Sequence, residues 1–316
     1  MRCPYCDAAL DASAVVDATE RQFGLGGSYR YAACGGCAAL VLLDPPADLD
    51  RFYPDDYYSL QSTNGGAVAR ARAAARRFAL TGHGVVGRLV AALEPPAEAA
   101  YGDWLREIAP RGEARILDVG CGGGALLRSL AGAGYTTLRG IDPYLPADVR
   151  EPSITLTRET LDTLAGTFDV VMLHHVLEHV ADPGATLRAV RHRLADGGWA
   201  IVRVPIVPND AFARHGGRWV QLDAPRHLTI PSVAGLTSLA ARCGLRRTAL
   251  RYDSTPIQFW GSALYERGET LQQGGRRLGW LAKQRGRSAA RKANAAGRGD
   301  QAAFLFRAIG GTIPCG

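Results

Sequence analysis

Lysine is almost missing from this chain: Lys283 and Lys292 stand alone among its 37 basic residues, and the rest are arginine. An individual arginine therefore reflects a chain-wide preference before it reflects chemistry. No run of about 18 uncharged apolar residues occurs, which excludes a helix that spans a bilayer. The opening residues, Met1-Arg2-Cys3-Pro4, lack the apolar stretch of a secretion signal. A cytoplasmic setting is expected, where thiols stay reduced and disulfides are disfavoured. The net charge of +7 resembles a nucleic-acid signal only until it is located. Arg276, Arg277, Lys283, Arg285, Arg287, Arg291, Lys292 and Arg298 face a single acid, Asp300, in one stretch near the end. That stretch supplies the whole +7, and the other 29 basic and 29 acidic residues cancel.

What the chain does have begins with cysteine in pairs. Cys3-Pro4-Tyr5-Cys6 and Cys34-Gly35-Gly36-Cys37 are two tight knuckles separated by 27 residues. Four thiolates from two turns form the closed tetrahedral set of a structural zinc ion. The intervening loop is longer than the usual span of about 15–20 residues, and a hairpin over residues 23–31 fills it. A length of 316 residues suggests about two domains. The expected organisation is a zinc ribbon over 1–50, then an aromatic and helical connector or lid over 51–112. A main domain follows over 113–253, and an Arg-rich helical extension over 254–316.

Within the main domain, apolar runs at 115–119, 137–141, 154–157, 170–173, 199–204 and 246–252 read as strands. Helical spacing recurs at 125–133, 185–194 and 233–243. Alternation of this kind predicts an α/β fold with a doubly wound, mostly parallel sheet. In the connector, residues 67–80 and 85–93 are expected helices, the second ended by Pro95 and Pro96. This class of sheet usually closes with a hairpin, of which 246–252 can be the first arm. No convincing β-rich segment follows unless 303–314 supplies it, and a closing strand absent from this chain is the alternative.

The first strand runs into Leu117-Asp118-Val119-Gly120-Cys121-Gly122-Gly123-Gly124. Glycines allow a sharp turn and close approach of a ligand, and the following helix aims its amides at it. Gly120, Gly122 and Ala125 also satisfy the dinucleotide spacing, with Asp142 at the expected distance, so a nicotinamide-dependent dehydrogenase is a rival. Asp118 argues against it, because a carboxylate beside a pyrophosphate is unfavourable. A cofactor without phosphate but with cationic amino and sulfonium groups suits that carboxylate. Asp142, ending the second strand, can accept the hydroxyls of a ribose or merely cap a turn.

Taken with Phe168-Asp169-Val170-Val171 and Val176-Leu177-Glu178-His179-Val180-Ala181-Asp182-Pro183, these motifs resemble the class I S-adenosylmethionine-dependent methyltransferases. The resemblance covers about residues 114–253 and is nearest the small-molecule branch that includes ubiquinone-type O-methyltransferases. It implies a Rossmann-like domain and S-adenosylmethionine as cofactor. The cysteine pairs and Trp219-Val220-Gln221-Leu222-Asp223-Ala224-Pro225-Arg226-His227-Leu228 are similar to nucleotide-sugar C-methyltransferases. That group has Glu-His where Arg226-His227 stands, which puts sugar C-methylation in doubt.

Methyl transfer from a sulfonium needs alignment, and a base where the acceptor carries a proton. His227 is the first candidate base, His179 the second, and Glu178 an orienting carboxylate. His174 and His175 follow the fourth main strand as cofactor candidates; one of the two is expected to reach the cofactor, and a purely structural role is the alternative for the other. Asp118, Gly120, Cys121, Gly122, Gly124 and Asp142 complete its seat, with Glu159 at the adenine edge. Tyr53, Tyr57 and Tyr58 are lid candidates or simple packing, as is Trp219. His83, His192 and His215 read as exposed.

Three other functions compete. A ribbon plus a basic tail fits a ribosomal RNA methyltransferase, but between the cysteine pairs Arg21 and Arg30 face Asp7, Asp11, Asp17 and Glu20, so the ribbon has no positive face. The others are the dehydrogenase and a non-catalytic scaffold that only binds the cofactor. The acceptor is expected to be a small molecule (sugar, nucleotide-sugar or natural-product intermediate). Its identity, the atom methylated and the oligomeric state are left open.

Overall fold

A computed structural model describes residues 1–11, 13–53, 66–109, 112–275 and 279–309. Tyr57, Tyr58, Arg276 and Arg277 lie outside them. The N-terminal unit contains β1 (Val15–Thr19), β2 (Ser28–Ala33) and β3 (Leu40–Leu42), antiparallel in order. Helices α1 (Ala67–Thr81), α2 (Val85–Leu93) and α3 (Gly102–Ile108) lead into the main domain. α1 stops at Gly82, whose φ of 76° is the left-handed conformation that closes helices.

The main domain then alternates: β4 (Arg115–Val119), α4 (Ala125–Gly132), β5 (Thr137–Ile141), β6 (Val149–Glu151), β7 (Ile154–Thr157) and β8 (Phe168–His174). It continues through α5 (Pro183–Arg193), β9 (Leu194–Pro205), α6 (Asp210–His215), β10 (Thr229–Ile230), α7 (Val233–Arg242) and β11 (Leu245–Tyr252). The last elements are α8 (Ile257–Glu266), α9 (Leu271–Gly275), α10 (Trp280–Ala295) and β12 (Gln301–Ala308). Local signals set several starts. Asp182 accepts the Ala185 amide at 2.8 Å ahead of Pro183, and Ser232 accepts that of Gly235 at 2.9 Å.

Eight strands form the large sheet in the order β11-β12-β9-β8-β4-β5-β7-β6. β9, β8, β4, β5 and β7 are parallel, so their central strands are covered on both faces and read as unbroken apolar runs. The chain leaves β4 in one direction and returns to its other side with β8. That reversal opens a crevice at the carboxyl ends of both strands. β12 lies antiparallel between β9 and β11. The closing strand is thus within the chain, and the extension expected as helical from residue 254 returns to the sheet at its end.

β10 leaves the main domain and pairs with β3, giving a second sheet in the order β1-β2-β3-β10. The N-terminal unit and the main domain therefore share a sheet. A strand of two residues carries no periodicity, so the sequence did not announce it.

Candidate functional site

At one end of the crevice the glycine turn has positive φ at Gly120 (67°), Gly122 (50°) and Gly124 (76°). Packing reinforces the backbone requirement: a Cβ on Gly120 would stand 2.6 Å from Val176 Cγ2, and one on Gly124 2.8 Å from Leu156 Cδ1. Asp142 accepts the Gly122 amide at 2.9 Å and the Tyr144 amide at 2.9 Å, tying the turn to the end of β5. Cys121 packs beneath, its Sγ against Gly140.

The Asp118 carboxyl is buried and has no hydrogen-bond or ion-pair partner among the described residues. Desolvation, with the charge of Asp142 added, pushes its carboxyl up to about 8. A buried acid of this kind is a seat waiting for a cation. Glu159 is held differently. It accepts from Thr157 and pairs with Arg139, and both keep its carboxyl below the ordinary range.

His174 and His175 diverge. His174 is half-buried beside Tyr101, ring centroids 4.8 Å apart, with its Nε2 buried and unpartnered. Burial, with Arg203 and His175 adding, holds it down at about 3, so it is neutral. It lines a cavity of about 380 Å³ with Tyr101, Glu98, Arg203, Ala125 and Leu126. His175, at a left-handed φ of 56°, turns to other partners. Arg203 Nη1 donates to His175 Nε2 at 2.8 Å, and a guanidinium only donates. His175 Nδ1 therefore carries the proton and donates to Glu178 Oε1 at 2.9 Å. Arg203 is anchored by Asp253.

The far end of the crevice gathers Glu178, His179 and His227, whose candidate ligand atoms lie within 4.8 Å of one another. Burial opposes ionisation of Glu178, but the His175 hydrogen bond and the neighbouring imidazoles bring it down to about 2. His179 Nδ1 stands 3.0 Å from the Tyr53 hydroxyl and 3.0 Å from the Arg226 carbonyl, and its ring meets that of His227 edge-on at 4.7 Å. His227 is buried. Its Nδ1 is 2.8 Å from the Gln221 carbonyl and so must donate, which leaves a lone pair on Nε2. That Nε2 faces Glu178 Oε1 at 4.0 Å and Asp223 Oδ2 at 3.9 Å. Desolvation, then His179, depresses His227 to about 4.

The N-terminal unit grips this loop. Tyr31 donates its hydroxyl to the His227 carbonyl at 2.7 Å, and the Tyr5 hydroxyl meets Thr229 Oγ1 at 2.8 Å. Arg226 pairs with Asp223 at 2.6 Å and Glu20 at 2.9 Å, and donates to the Phe52 carbonyl at 3.1 Å. The residue that breaks the sugar-methyltransferase pattern is therefore a buried tie between ribbon, connector and site loop. Tyr5, Tyr31, Glu20, Arg203 and Asp253 escaped the sequence reading, since no motif marks them. Tyr53 contacts His179 and stacks on Tyr144 at 6.4 Å, whereas Trp219 is buried and donates to Asp300 at 3.0 Å, a packing role. His215 is not exposed as expected: it is buried and pairs with Glu266 at 2.7 Å. His83 and His192 are exposed.

Cys3, Cys6, Cys34 and Cys37 converge, with Sγ–Sγ separations of 3.6 Å for Cys3–Cys37 and 3.4 Å for Cys6–Cys34. None is in a disulfide, and the four could hold a metal ion. Among the described residues no helix is long and apolar enough to cross a membrane.

Residues 95–250 match a family model described as a methyltransferase domain. The chain is 34% identical over 110 residues to the ubiquinone biosynthesis O-methyltransferase of Albidiferax ferrireducens, which covers 31% of this chain and 43% of that protein. The enzyme of the same name from Bordetella avium is 29% identical over 174 residues, 47% and 69% of the two chains. The tRNA U34 carboxymethyltransferase of Sodalis glossinidius is 32% identical over 163 residues, 45% and 49% of the two. The chain spans about half the length of the curated relatives it matches. The family-model match over residues 95–250 takes in β4, the glycine turn and the histidine loops, so it is this stretch of the chain that is similar to methyltransferases.

Proposed function

We propose that the chain methylates a small-molecule acceptor, with His227 as the proton acceptor. The observation that carries this reading is the His227 imidazole, whose Nδ1 is committed to the Gln221 carbonyl so that the lone pair is on Nε2, beside Glu178 and Asp223. When bound, S-adenosylmethionine supplies an electrophilic methyl group on a sulfonium. Asp118 would then face its amino group, Asp142 its ribose hydroxyls and Glu159 the adenine edge, while Gly120, Gly122 and Gly124 keep side chains away.

Approach of the methyl group acidifies the acceptor, so a base as weak as His227 can take the proton as the new bond forms. His179 closes one side of that base and Tyr53 closes His179. Glu178 holds His175, which with Arg203 fixes the wall between the two ends. Calorimetry with S-adenosylmethionine and with NADH tests the cofactor. Heat from NADH alone would return the glycine turn to the dehydrogenase reading.

The four thiols are assigned to structural zinc. Tetrahedral bonds of about 2.3 Å place sulfurs about 3.8 Å apart, close to the separations found here. Metal analysis on the purified chain tests this. Four alkylatable thiols without zinc would remove it. The match to a tRNA-modifying enzyme favours RNA as a second acceptor class, and tRNA that failed to bind would dismiss it. A sugar, nucleotide-sugar or natural-product intermediate is the acceptor class proposed.

A further inference from the structure

Ten large apolar side chains are exposed among the described residues, and six of them belong to α1, α2 and α10: Val68, Val85, Val86, Leu89, Leu93 and Leu281. α2 rests on α1 through Gly87, where any side chain would strike the Ala74 carbonyl. Its opposite face is therefore turned outward. At 3.6 residues per turn Val85, Leu89 and Leu93 make one ridge, with Val86 beside it. These four are between 63% and 76% exposed. Single exposed apolar residues are ordinary, but a helix that turns its apolar face outward calls for an occupant.

The surroundings are cationic. Arg70, Arg77 and Arg88 are exposed on the α1–α2 hairpin, and Arg285, Arg291 and Lys292 are exposed on α10. The two groups meet where Arg287 approaches Glu94 at 3.9 Å, at the end of α2. An apolar ridge with an arginine rim matches the interfacial region of an anionic bilayer: acyl chains accept the ridge and headgroup phosphates the rim.

We propose that α2, flanked by the basic residues of α1 and α10, docks the protein on an anionic lipid bilayer surface. The helix lies in the headgroup plane, being far too short to span. A second copy fits less well. A nine-residue ridge offers much less than the ~800 Å² per partner of a standard interface, and two basic rims would repel across a twofold axis. RNA would engage the arginines but leave the ridge in water.

The test is co-sedimentation of the full chain with phosphatidylcholine vesicles and with vesicles that also contain phosphatidylglycerol. Binding is expected to the anionic vesicles, about tenfold or more weaker to the neutral ones, and to weaken with added salt. The V85D/L89D variant should lose about tenfold or more of that binding while keeping its thermal melting point, since both side chains are exposed. The R285E/R291E variant, which leaves α2 intact, should also bind less. The proposal is overturned if the chain ignores anionic vesicles, or if both variants bind as well as the parent. It is equally overturned if L89D abolishes a self-association seen by sedimentation while vesicles are ignored. RNA binding insensitive to V85D/L89D, without vesicle binding, would assign the surface to nucleic acid instead.

Discussion

At the end of the crevice proposed for the cofactor, Asp118, the glycine turn and Asp142 come from one β-α-β unit of 27 residues, Arg115–Ile141, and the residue after it. At the other end, Glu178, His179, Asp223 and His227 come from two loops and are held by Tyr5, Glu20, Tyr31 and Phe52 from the N-terminal unit and connector. The first end is built by local geometry: a strand, a turn that needs glycine, and a helix N-terminus. The second is built by tertiary contacts between segments far apart in the chain. Affinity for the cofactor should therefore depend on the main domain and on the connector residues that line the cavity beside it, while turnover should depend on the N-terminal unit as well.

The strongest challenge to that division is His227→Ala. Loss of a positioned base is expected to lower kcat by about 10²–10⁴-fold, with the calorimetric Kd for S-adenosylmethionine unchanged. Unchanged turnover would discard the base assignment. Asp142→Ala should do the reverse. Removing a carboxylate that also orders the Gly122 amide should weaken cofactor binding by about 100-fold, whatever becomes of the acceptor.

Asp118 makes the cofactor end sensitive to pH. Its carboxyl is protonated below about 8 in the unliganded protein, and a cationic ligand requires the carboxylate. Binding then releases a proton, so affinity should climb with pH by up to roughly tenfold per unit below 8. Stability of the unliganded protein moves oppositely. Above the unfolded value near 4 the folded state holds a proton that the unfolded chain has lost, so stability falls as pH rises from about 4 to 8. Melting temperatures across that range with Asp118→Asn as control would show the slope disappear.

The smallest expected effect is the most specific to the N-terminal unit. Tyr31→Phe removes one buried hydrogen bond to the His227 carbonyl and should cost about 1 kcal/mol of stability. It should lower kcat several-fold and leave cofactor affinity alone. A fall in affinity instead would show that the two ends are mechanically joined.

The sequence was most informative where structure follows local rules. The glycine turn, both aspartates, the six strands of the main alternation and the two connector helices all lie where periodicity and turn chemistry placed them. It was less informative about β10 and β12, one too short for a pattern and the other separated from its hairpin partner by α8, α9 and α10. His215 was misread because its burial depends on Glu266, brought alongside by packing of α6 on α8. The four cysteines lay in the sequence as pairs, but only folding brought them to one point.

The sequence by itself thus determined the seat at Leu117–Gly124, because a turn with left-handed residues and a carboxylate ahead of it is encoded over a few consecutive positions. Only the tertiary structure decided which nitrogen of His175 and His227 carries a proton, and which way each ring faces. Those choices rest on the Arg203 guanidinium and the Gln221 carbonyl, partners that local sequence does not designate. A tautomer is set by what lies within 3 Å in space, and in this protein those partners come from β9 and from the loop ahead of β10.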